Sequence, residues 1–284
     1  MSNISPIDGR YKKNVSELGE YFSEQALMRH RVMVEVKYLL ALVENKPFKK
    51  TRALSKKTFT SLKNLYVDFS LKDFKQIKKI EEKTNHDVNA VVVFISEKLK
   101  RAGRKDLVPL VHFGLTSEDI NNTAYSLMTK GAVDNIMIPS IKSVLKELKT
   151  LSKKTKSLPL LSLTHGQPAT TTTLGKELAV FISRIERELA LIKKMRLLAK
   201  FSGATGSYAA HKVAFPGFSW SVFSKRFINK LGLEQSPVST QIEPGDSLAE
   251  LFHSFVRINN IFSDFSLDMW PVSYTHLRAH ETKA

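Results

Sequence analysis

The sequence between residues 174 and 195 carries apolar side chains at spacings of three and four positions. They are Leu174, Leu178, Phe181, Ile182, Ile185, Leu189, Ile192 and Met195. This spacing puts all of them on one face of an α-helix of about six turns. A single helix cannot bury a stripe of that length, so the stripe predicts packing against other long helices. The chain is therefore expected to form a long helical bundle.

Most of the remaining sequence also has helical periodicity. Residues from Glu118 to about Lys154 repeat the pattern, and Pro139 is predicted to kink this long helix or to divide it in two. Shorter amphipathic helices are predicted for Glu24–Val43 and Asp87–Leu99, and a further helix for Asp246–Trp270. The sequence shows no convincing hairpin or set of alternating strands, so the predicted class is all-α.

The predicted helices are short before Ala102-Gly103-Arg104 and long after it. We therefore predict an N-terminal helical domain over residues 1–105 and a central long-helix bundle domain, incomplete at its C-terminus, over residues 106–270. The lysine-rich stretch from Phe48 to Lys57 is interpreted as a solvated loop or helix end. Residues 271–284 show no apolar period and are interpreted as a non-native tail that resembles translated adapter sequence. A genuine disordered C-terminus is the alternative.

The formal net charge of +17 has two possible explanations, a nucleic-acid surface or lysine-rich, solvated helix faces. The basic residues are dispersed and acidic residues interleave with them, which favours the second explanation. Cysteine is absent, which excludes disulfides and thiolate metal sites. The N-terminus lacks the apolar core of a signal peptide, and no run of about 18 apolar residues occurs. A cytoplasmic chain without a membrane span is expected.

The strongest polar cluster is Thr164-His165-Gly166-Gln167-Pro168. Its glycine and proline predict a non-helical connection ahead of the helix that begins near Leu174. A histidine in such a connection can present its imidazole to a cleft, and its titration range suits proton transfer near neutral pH. The alternative is a turn histidine bonded to a backbone carbonyl.

Two further clusters lie at predicted helix starts. Thr116-Ser117-Glu118-Asp119 combines hydroxyls with the free N–H groups of a helix N-terminus, which is the chemistry of an anion site. Thr84-Asn85-His86-Asp87-Val88 places a second histidine at a helix start. Helix capping is the alternative for both clusters. At the first cluster the cap would be Thr116 or Ser117, and this is compatible with anion binding. At the second cluster the cap would be Asn85 or Asp87, and His86 would be incidental.

Two loops complete the set of polar clusters. The turn at Ser5–Tyr11 contains Arg10 and Tyr11. An arginine can form bidentate hydrogen bonds with phosphate or carboxylate, although surface arginines are common. The loop at Thr240–Asp246 carries Gln241 into the last predicted helix. Each cluster is a weak signal by itself.

Taken together and in this order, the five clusters resemble motifs of the adenylosuccinate lyases of the fumarase and aspartase superfamily. The matching stretches are Asp8–Tyr11, Asn85–Asp87, Thr116–Asn121, Thr164–Pro168 and Thr240–Pro244. The resemblance runs from about Ser5 to Trp270. It implies a long helical bundle assembled as a homotetramer, with active sites built from three subunits. The implied reaction is β-elimination of fumarate, from adenylosuccinate to give AMP and from succinyl-aminoimidazole-carboxamide ribotide.

The resemblance also implies roles for single residues. His165 would be the general acid that protonates the departing nitrogen, and His86 would assist through the substrate phosphate. Substrate-binding roles would fall to Arg10, Tyr11, Asn85, Asp87, Val88, Thr116, Ser117, Thr164 and Gln241. Neither a metal nor an organic cofactor is implied, and neither is a nucleic-acid or membrane partner.

The sequence departs from the family pattern after Trp270, where the family continues its helix and later supplies a mobile loop with the serine general base. No residue of this chain matches that serine, so the 284 residues alone are expected to be inactive. Two other hypotheses stay open. One is a superfamily member acting on another substrate, such as argininosuccinate or fumarate. The other is a basic, non-enzymatic helical protein that binds nucleic acid.

Overall fold

The computed structural model describes residues 5–45 and 54–271, and helices dominate it. The α-helices are α1 (Gly19–Phe22), α2 (Glu24–Val43), α3 (Lys56–Val67), α4 (Leu71–Thr84), α5 (Asp87–Arg101), α6 (Ser117–Ala132), α7 (Ile138–Lys154), α8 (Leu174–Lys194), α9 (Ala209–Ala214), α10 (Trp220–Lys230) and α11 (Asp246–Pro271). Short 3₁₀ turns occur at Lys12–Asn14, Ser16–Leu18 and Lys105–Leu110. The predicted all-α class is confirmed.

The strands form two small sheets. Strands β1 (Pro159–Thr164) and β2 (Gln167–Thr173) pair in an antiparallel hairpin, and β3 (Leu198–Ala199) pairs in parallel with β4 (Glu234–Gln235). The expectation that the chain has no hairpin was therefore wrong. The non-helical connection predicted around His165 is the turn of the first sheet. Apolar and polar residues alternate only over Leu161–Thr164 of its flanking strands, and β2 carries polar residues at most positions.

The predicted long helices agree well with the structure. Helix α8 spans the apolar stripe that begins at Leu174. The helix predicted from Glu118 to Lys154 is divided, since a π-helical segment at Val133–Met137 separates α6 from α7 and Pro139 lies in the first turn of α7. Helix α2 begins and ends where predicted, but it is not amphipathic, because buried side chains occupy nearly all of its faces.

The chain separates into two compact units. The first unit comprises residues 1–133 and 196–245, and the second comprises residues 134–195 and 246–284. The domain boundary predicted after residue 105 lies inside the first unit and stays a prediction. Most of the loop predicted from Phe48 to Lys57, and residues 272–284 of the predicted tail, lie outside the described residues.

The core of the first unit surrounds α2, which packs against α3, α5 and α6. Val32, Val36 and Leu39 on this helix are fully buried. Tyr38 extends the core into a cluster of aromatic rings, with its own ring centroid 5.0 Å from that of Phe201. A helix buried on all sides is a rigid support for the loops around it.

The second unit contains the hairpin, α7, α8 and α11. Ile141, Leu145 and Leu148 of α7 are buried along its contact with α8. Helix α11 packs on α8 as well, where Arg184 Nη2 lies 2.9 Å from Asp264 Oδ2. In residues 5–45 and 54–271, no helix is long and apolar enough to cross a membrane.

Candidate functional site

The segment Asn85–Asp87 joins α4 to α5 with a sharp change of direction. Asn85 ends α4 in the left-handed conformation, with φ of 50°. The next residue, His86, caps α5, because its Nδ1 accepts a hydrogen bond from the Asn89 N–H at 3.2 Å. Since Nδ1 accepts, the ring proton of the neutral imidazole lies on Nε2. The alternative that Asn85 or Asp87 caps this helix, with His86 incidental, was wrong, because the cap is His86 itself. Capping by Nδ1 leaves Nε2 of the same ring available to a ligand.

The start of α6 lies beside this histidine. Ser117 Oγ is 3.4 Å from His86 Nε2, and both side chains are partly open to solvent. The Thr116 N–H donates to Asp119 Oδ2 at 2.9 Å, which forms one half of a capping box. Two of the sequence-predicted clusters therefore meet at one point of the first unit.

Asp87 is held by a buried arginine that the sequence analysis missed. Arg31 Nη2 lies 2.6 Å from Asp87 Oδ2, and Arg31 Nε donates to Asn121 Oδ1 at 2.9 Å. Burial by itself raises the pKa of the Asp87 carboxyl, but the Arg31 charge and the Val88 N–H outweigh it and leave that pKa below its usual value. Val88 contributes this N–H while its own side chain is buried. The sequence does not distinguish Arg31 from Arg29, Glu35 and Lys37 of the same helix, so its burial could not be predicted from the pattern.

Asp119 and Lys200 form a second buried ion pair, which the sequence analysis also missed. Both side chains are fully buried, and Lys200 Nζ lies 2.8 Å from Asp119 Oδ1. The same carboxylate accepts hydrogen bonds from the N–H groups of Ser202 at 2.9 Å and Gly203 at 3.1 Å. The ammonium also donates to the Gly203 carbonyl. Asp119 therefore connects the start of α6 to the segment Lys200–Gly206. In the sequence, only the glycines of that segment indicated that it has a special backbone conformation.

The segment Lys200–Gly206 in turn contacts the loop that carries Gln241. Ser202 Oγ is 3.0 Å from Ser239 Oγ, and a Cβ at Gly206 would overlap the Ser239 carbonyl. The Gln241 side chain is exposed in this loop. Burial raises the pKa of the nearby Glu118 carboxyl, against the opposing effect of a hydrogen bond from the Glu243 backbone. The clusters around His86, Thr116 and Gln241 are thus connected within the first unit.

The loop before Thr116 is held by a further buried pair. His112 Nδ1 lies 2.5 Å from Oε1 of Glu35, a fully buried residue of α2. Burial alone would lower the pKa of His112, but the hydrogen bond and charge of Glu35 outweigh it and raise that pKa. Tyr38 Oη donates to the Phe113 carbonyl at 2.8 Å in the same loop. Helix α2 therefore supports the approach to Thr116 at two successive residues.

Arg10 and Tyr11 lie apart from these connected loops. Both are exposed, and the Arg10 guanidinium carbon is 5.6 Å from the Tyr11 ring centroid. Their turn is closed by hydrogen bonds between Ser5 and Asp8. Within the described residues, no hydrogen bond, ion pair or ring contact links them to His86 or Thr116, so their grouping with the site stays a prediction.

His165 belongs to the second unit, where it occupies the hairpin turn. Thr164 and Gln167 are paired across the turn, and His165 and Gly166 between them have φ values of 51° and 75°. Two successive positive φ values are the signature of a type I′ turn. The Thr164 and His165 side chains are exposed. The backbone conformation of the turn therefore leaves the His165 imidazole exposed.

The described residues contain no group of three or more His, Cys, Asp or Glu side chains that could hold a metal ion. What they offer a ligand instead is a set of hydroxyls, imidazoles and helix N-terminal N–H groups. Such donors suit carboxylate and phosphate oxygens.

Comparison with known proteins assigns the chain to a family. A sequence profile described as Lyase matches residues 9–283. The chain belongs to this lyase family. The lyase family assignment covers both units and all the candidate site residues.

Individual relatives of this chain carry a more specific name. The chain is 44% identical over 277 residues to the adenylosuccinate lyase of Dictyostelium discoideum, covering 95% of this chain and 59% of that protein. It is 41% identical over 271 residues to the adenylosuccinate lyase of Escherichia coli (strain K12), with the same two coverages. The chain thus spans about 59% of the length of these curated relatives.

Solved structures resemble this chain in fold. A fumarate lyase from Mesorhizobium sp. BNC1 superposes with a TM-score of 0.75 at 21% identity, covering 92% of this chain and 58% of that one. The β-carboxy-cis,cis-muconate cycloisomerase from Acinetobacter calcoaceticus sp. ADP1 gives a TM-score of 0.72 at the same identity and coverages. At this identity the likeness extends to the fold alone.

Proposed function

We propose that this chain carries a large part of the active site of an adenylosuccinate lyase, which eliminates fumarate from adenylosuccinate and from succinyl-aminoimidazole-carboxamide ribotide. The observation that carries the proposal is the approach of His86 Nε2 to Ser117 Oγ at 3.4 Å. It joins two of the five motifs at an open helix N-terminus. The names of relatives at 44% and 41% identity support adenylosuccinate as the substrate.

The proposed roles in the first unit follow from its charges and donors. Thr116 and Ser117 bind the succinyl carboxylate through hydroxyls at the start of α6, where the helix dipole favours an anion. His86 carries its ring proton on Nε2 and donates it towards the substrate phosphate, while Asn85, Asp87 and Val88 shape that pocket. Arg10 and Tyr11 bind the nucleotide and Gln241 contacts the substrate.

The elimination needs two proton transfers. A base removes the proton from the carbon beside a carboxylate, and the C–N bonding electrons pass to the leaving nitrogen. His165 supplies the proton that neutralises that nitrogen, with Thr164 beside it at the substrate. A positioned acid of this kind contributes about 10²–10⁴-fold to the rate. The serine base has no assigned counterpart in this chain, so we propose that the 284 residues need further sequence for turnover.

The proposal includes the assembly and the location. A cytoplasmic homotetramer would combine site residues from three copies, so that His165 of one copy serves the His86 and Ser117 segments of another. The exposed apolar side chains Leu161 and Leu163 on the hairpin, at 56% and 61% exposure, support association of this region with another surface.

Fumarate release tests the proposal directly. The assay compares the 284-residue chain with a version that carries the C-terminal third of an adenylosuccinate lyase relative. Only the extended version is expected to turn over adenylosuccinate. Turnover by the short chain would refute the need for further sequence, and an inactive but folded extended version would refute the function.

Two substitutions in the extended version separate catalysis from folding. His165→Ala is expected to lower kcat by about 10²–10⁴-fold. His253→Ala is the matched control, because His253 is an exposed histidine of the same unit on α11. Equal activity of the two variants would contradict the acid role of His165.

The alternatives predict other outcomes in the same samples. A superfamily member with another substrate would process argininosuccinate or hydrate fumarate and leave adenylosuccinate untouched. A nucleic-acid binder would show tight, salt-sensitive binding of DNA or RNA without lyase activity.

A further inference from the structure

A lysine-lined groove runs between α7 and α8 in the second unit. Its volume is about 600 Å³. Its lining contains five lysines, namely Lys142, Lys146, Lys149 and Lys153 of α7 and Lys193 of α8. We call these five residues and the space between them the lysine groove. None of them has a role in the proposed lyase reaction.

The lysines of α7 are spaced to follow one line. They recur at intervals of four, three and four residues, which places them on one helix face. With a rise of 1.5 Å per residue, the line is about 16 Å long. Lys193 faces it from α8, so that positive charge borders the groove on both sides.

The groove has little negative charge to balance these ammonium groups. Glu186 is the acidic residue in its lining, and it pairs with Lys149 at 2.5 Å. Among the described residues, no carboxylate lies within ion-pair distance of Lys142, Lys146 or Lys153. Charges of one sign around a concave, partly apolar surface concentrate the electrostatic field there more than the same charges on a convex face.

We propose that the lysine groove binds a linear chain of phosphate groups, with inorganic polyphosphate as the ligand. A lysine ammonium is a compact charge with three donors, which suits phosphate oxygens from several directions. The Thr150 hydroxyl adds a neutral donor. The lining contains no aromatic or arginine side chain on which a base could stack, and such stacking supports single-stranded nucleic-acid binding. The groove therefore matches a phosphate chain without bases.

The chain provides a matched control on α4. Lys72, Lys75, Lys79 and Lys83 are exposed at intervals of three, four and four residues. They have almost the same spacing as the α7 lysines, but they lie on the convex face of one helix. Replacing either set of four by glutamine removes four positive charges, so the two variants differ in where the charge is lost and not in how much.

The experiment measures fluorescence anisotropy of labelled polyphosphate with the 284-residue chain and both quadruple variants. The Lys142/Lys146/Lys149/Lys153→Gln variant is expected to weaken binding by about tenfold or more and to flatten its salt dependence. The α4 variant is expected to stay within about twofold of the parent chain. Equal weakening in both variants would overturn the proposal, because it would reduce the binding to net charge.

Two further measurements keep the outcome decisive. Glu186→Gln is expected to tighten binding, since it frees Lys149 and removes the lining carboxylate, and an unchanged affinity would count against the groove. Single-stranded RNA with the same number of phosphates is expected to bind more weakly than polyphosphate, and tighter RNA binding would overturn the assignment of the ligand. Circular dichroism checks that each variant keeps its helices. All of these results are independent of lyase activity.

Discussion

The helix-start loops of the first unit and the hairpin turn of the second present their candidate residues by opposite means. Around His86 and Thr116, buried ionic partners on other elements hold the backbone, with Lys200 on Asp119 and Arg31 on Asp87. Around His165, strand pairing and two positive φ values hold the backbone, and the side chain itself is exposed.

This difference shows how each set of candidate residues can be disturbed. The first arrangement depends on charges removed from water, which are costly when left without their partner. The second depends on local turn geometry, which costs little to disturb. Substitutions near the helix starts should therefore destabilise the whole first unit, and substitutions in the turn should loosen the hairpin only.

The largest expected effect is that of Lys200→Met. It leaves the fully buried Asp119 carboxylate without its cation, which should lower the free energy of unfolding by about 3–5 kcal/mol. Urea denaturation followed by the fluorescence of Trp220 measures this, because Trp220 is buried in the first unit. Lys72→Met on the exposed face of α4 is the control and should change little. A loss below about 1 kcal/mol for Lys200→Met would mean that the pair is not a structural link.

A pair of glycine substitutions sharpens the comparison. Gly206 and Gly166 have φ values of 73° and 75°, so alanine strains both backbones alike. At Gly206 the added Cβ also overlaps the Ser239 carbonyl, whereas at Gly166 it meets nothing within 4 Å. We expect a cost of about 3 kcal/mol for Gly206→Ala and about 1 kcal/mol for Gly166→Ala.

The measurements differ because the two glycines lie in different units. Trp220 fluorescence in urea reports Gly206→Ala, and hydrogen exchange of the hairpin amides reports Gly166→Ala. Similar losses of stability at both positions would contradict the proposed contrast, in which tertiary contacts hold the loops of the first unit and local turn geometry holds the hairpin.

The smallest expected effect is a pH dependence at His112. Glu35 raises the pKa of His112, so the pair contributes fully below the unfolded pKa of about 6.5 and loses its contribution as the pH rises through the folded pKa. The stability difference between the parent chain and His112→Gln should therefore shrink above pH ~6.5, by an amount on the order of 1 kcal/mol.

Urea midpoints across this pH range measure the His112 effect. Two other histidines, His30 and His211, affect stability on the acid side of pH ~6.5. Burial lowers the pKa of His30, and it lowers the pKa of His211 to about 4, so both destabilise the fold below pH ~6.5 and not above it. A difference that grows with rising pH would contradict the His112–Glu35 assignment.

Local signals account for what the sequence could predict. The helices followed from apolar periodicity, and α8 begins at the predicted Leu174. The clusters at His86 and Thr116 were recognisable because capping residues and helix starts are adjacent in sequence. The hairpin was not, because the alternation in β1 covers only Leu161–Thr164, β2 is mostly polar, and the turn reads His-Gly in place of the common Asn-Gly.

The partners of the site residues could not be predicted in the same way. Arg31, Glu35 and Lys200 each contact a residue far along the chain, and the pairing exists only after α2, α6 and the Lys200–Gly206 segment pack together. Periodicity reports which face of a helix is buried, but not which buried charge meets which.

The left-handed backbone at His165 limits which amino acids this position can accept. Asparagine and glycine tolerate that handedness but cannot exchange a proton near neutral pH. Side chains branched at Cβ resist it, whatever their chemistry. Histidine is among the few residues enriched in this conformation that also titrates in the physiological range. Under the acid role proposed for His165, conformation and reactivity would therefore restrict this position independently. A library of variants at position 165 would then retain very few active substitutions.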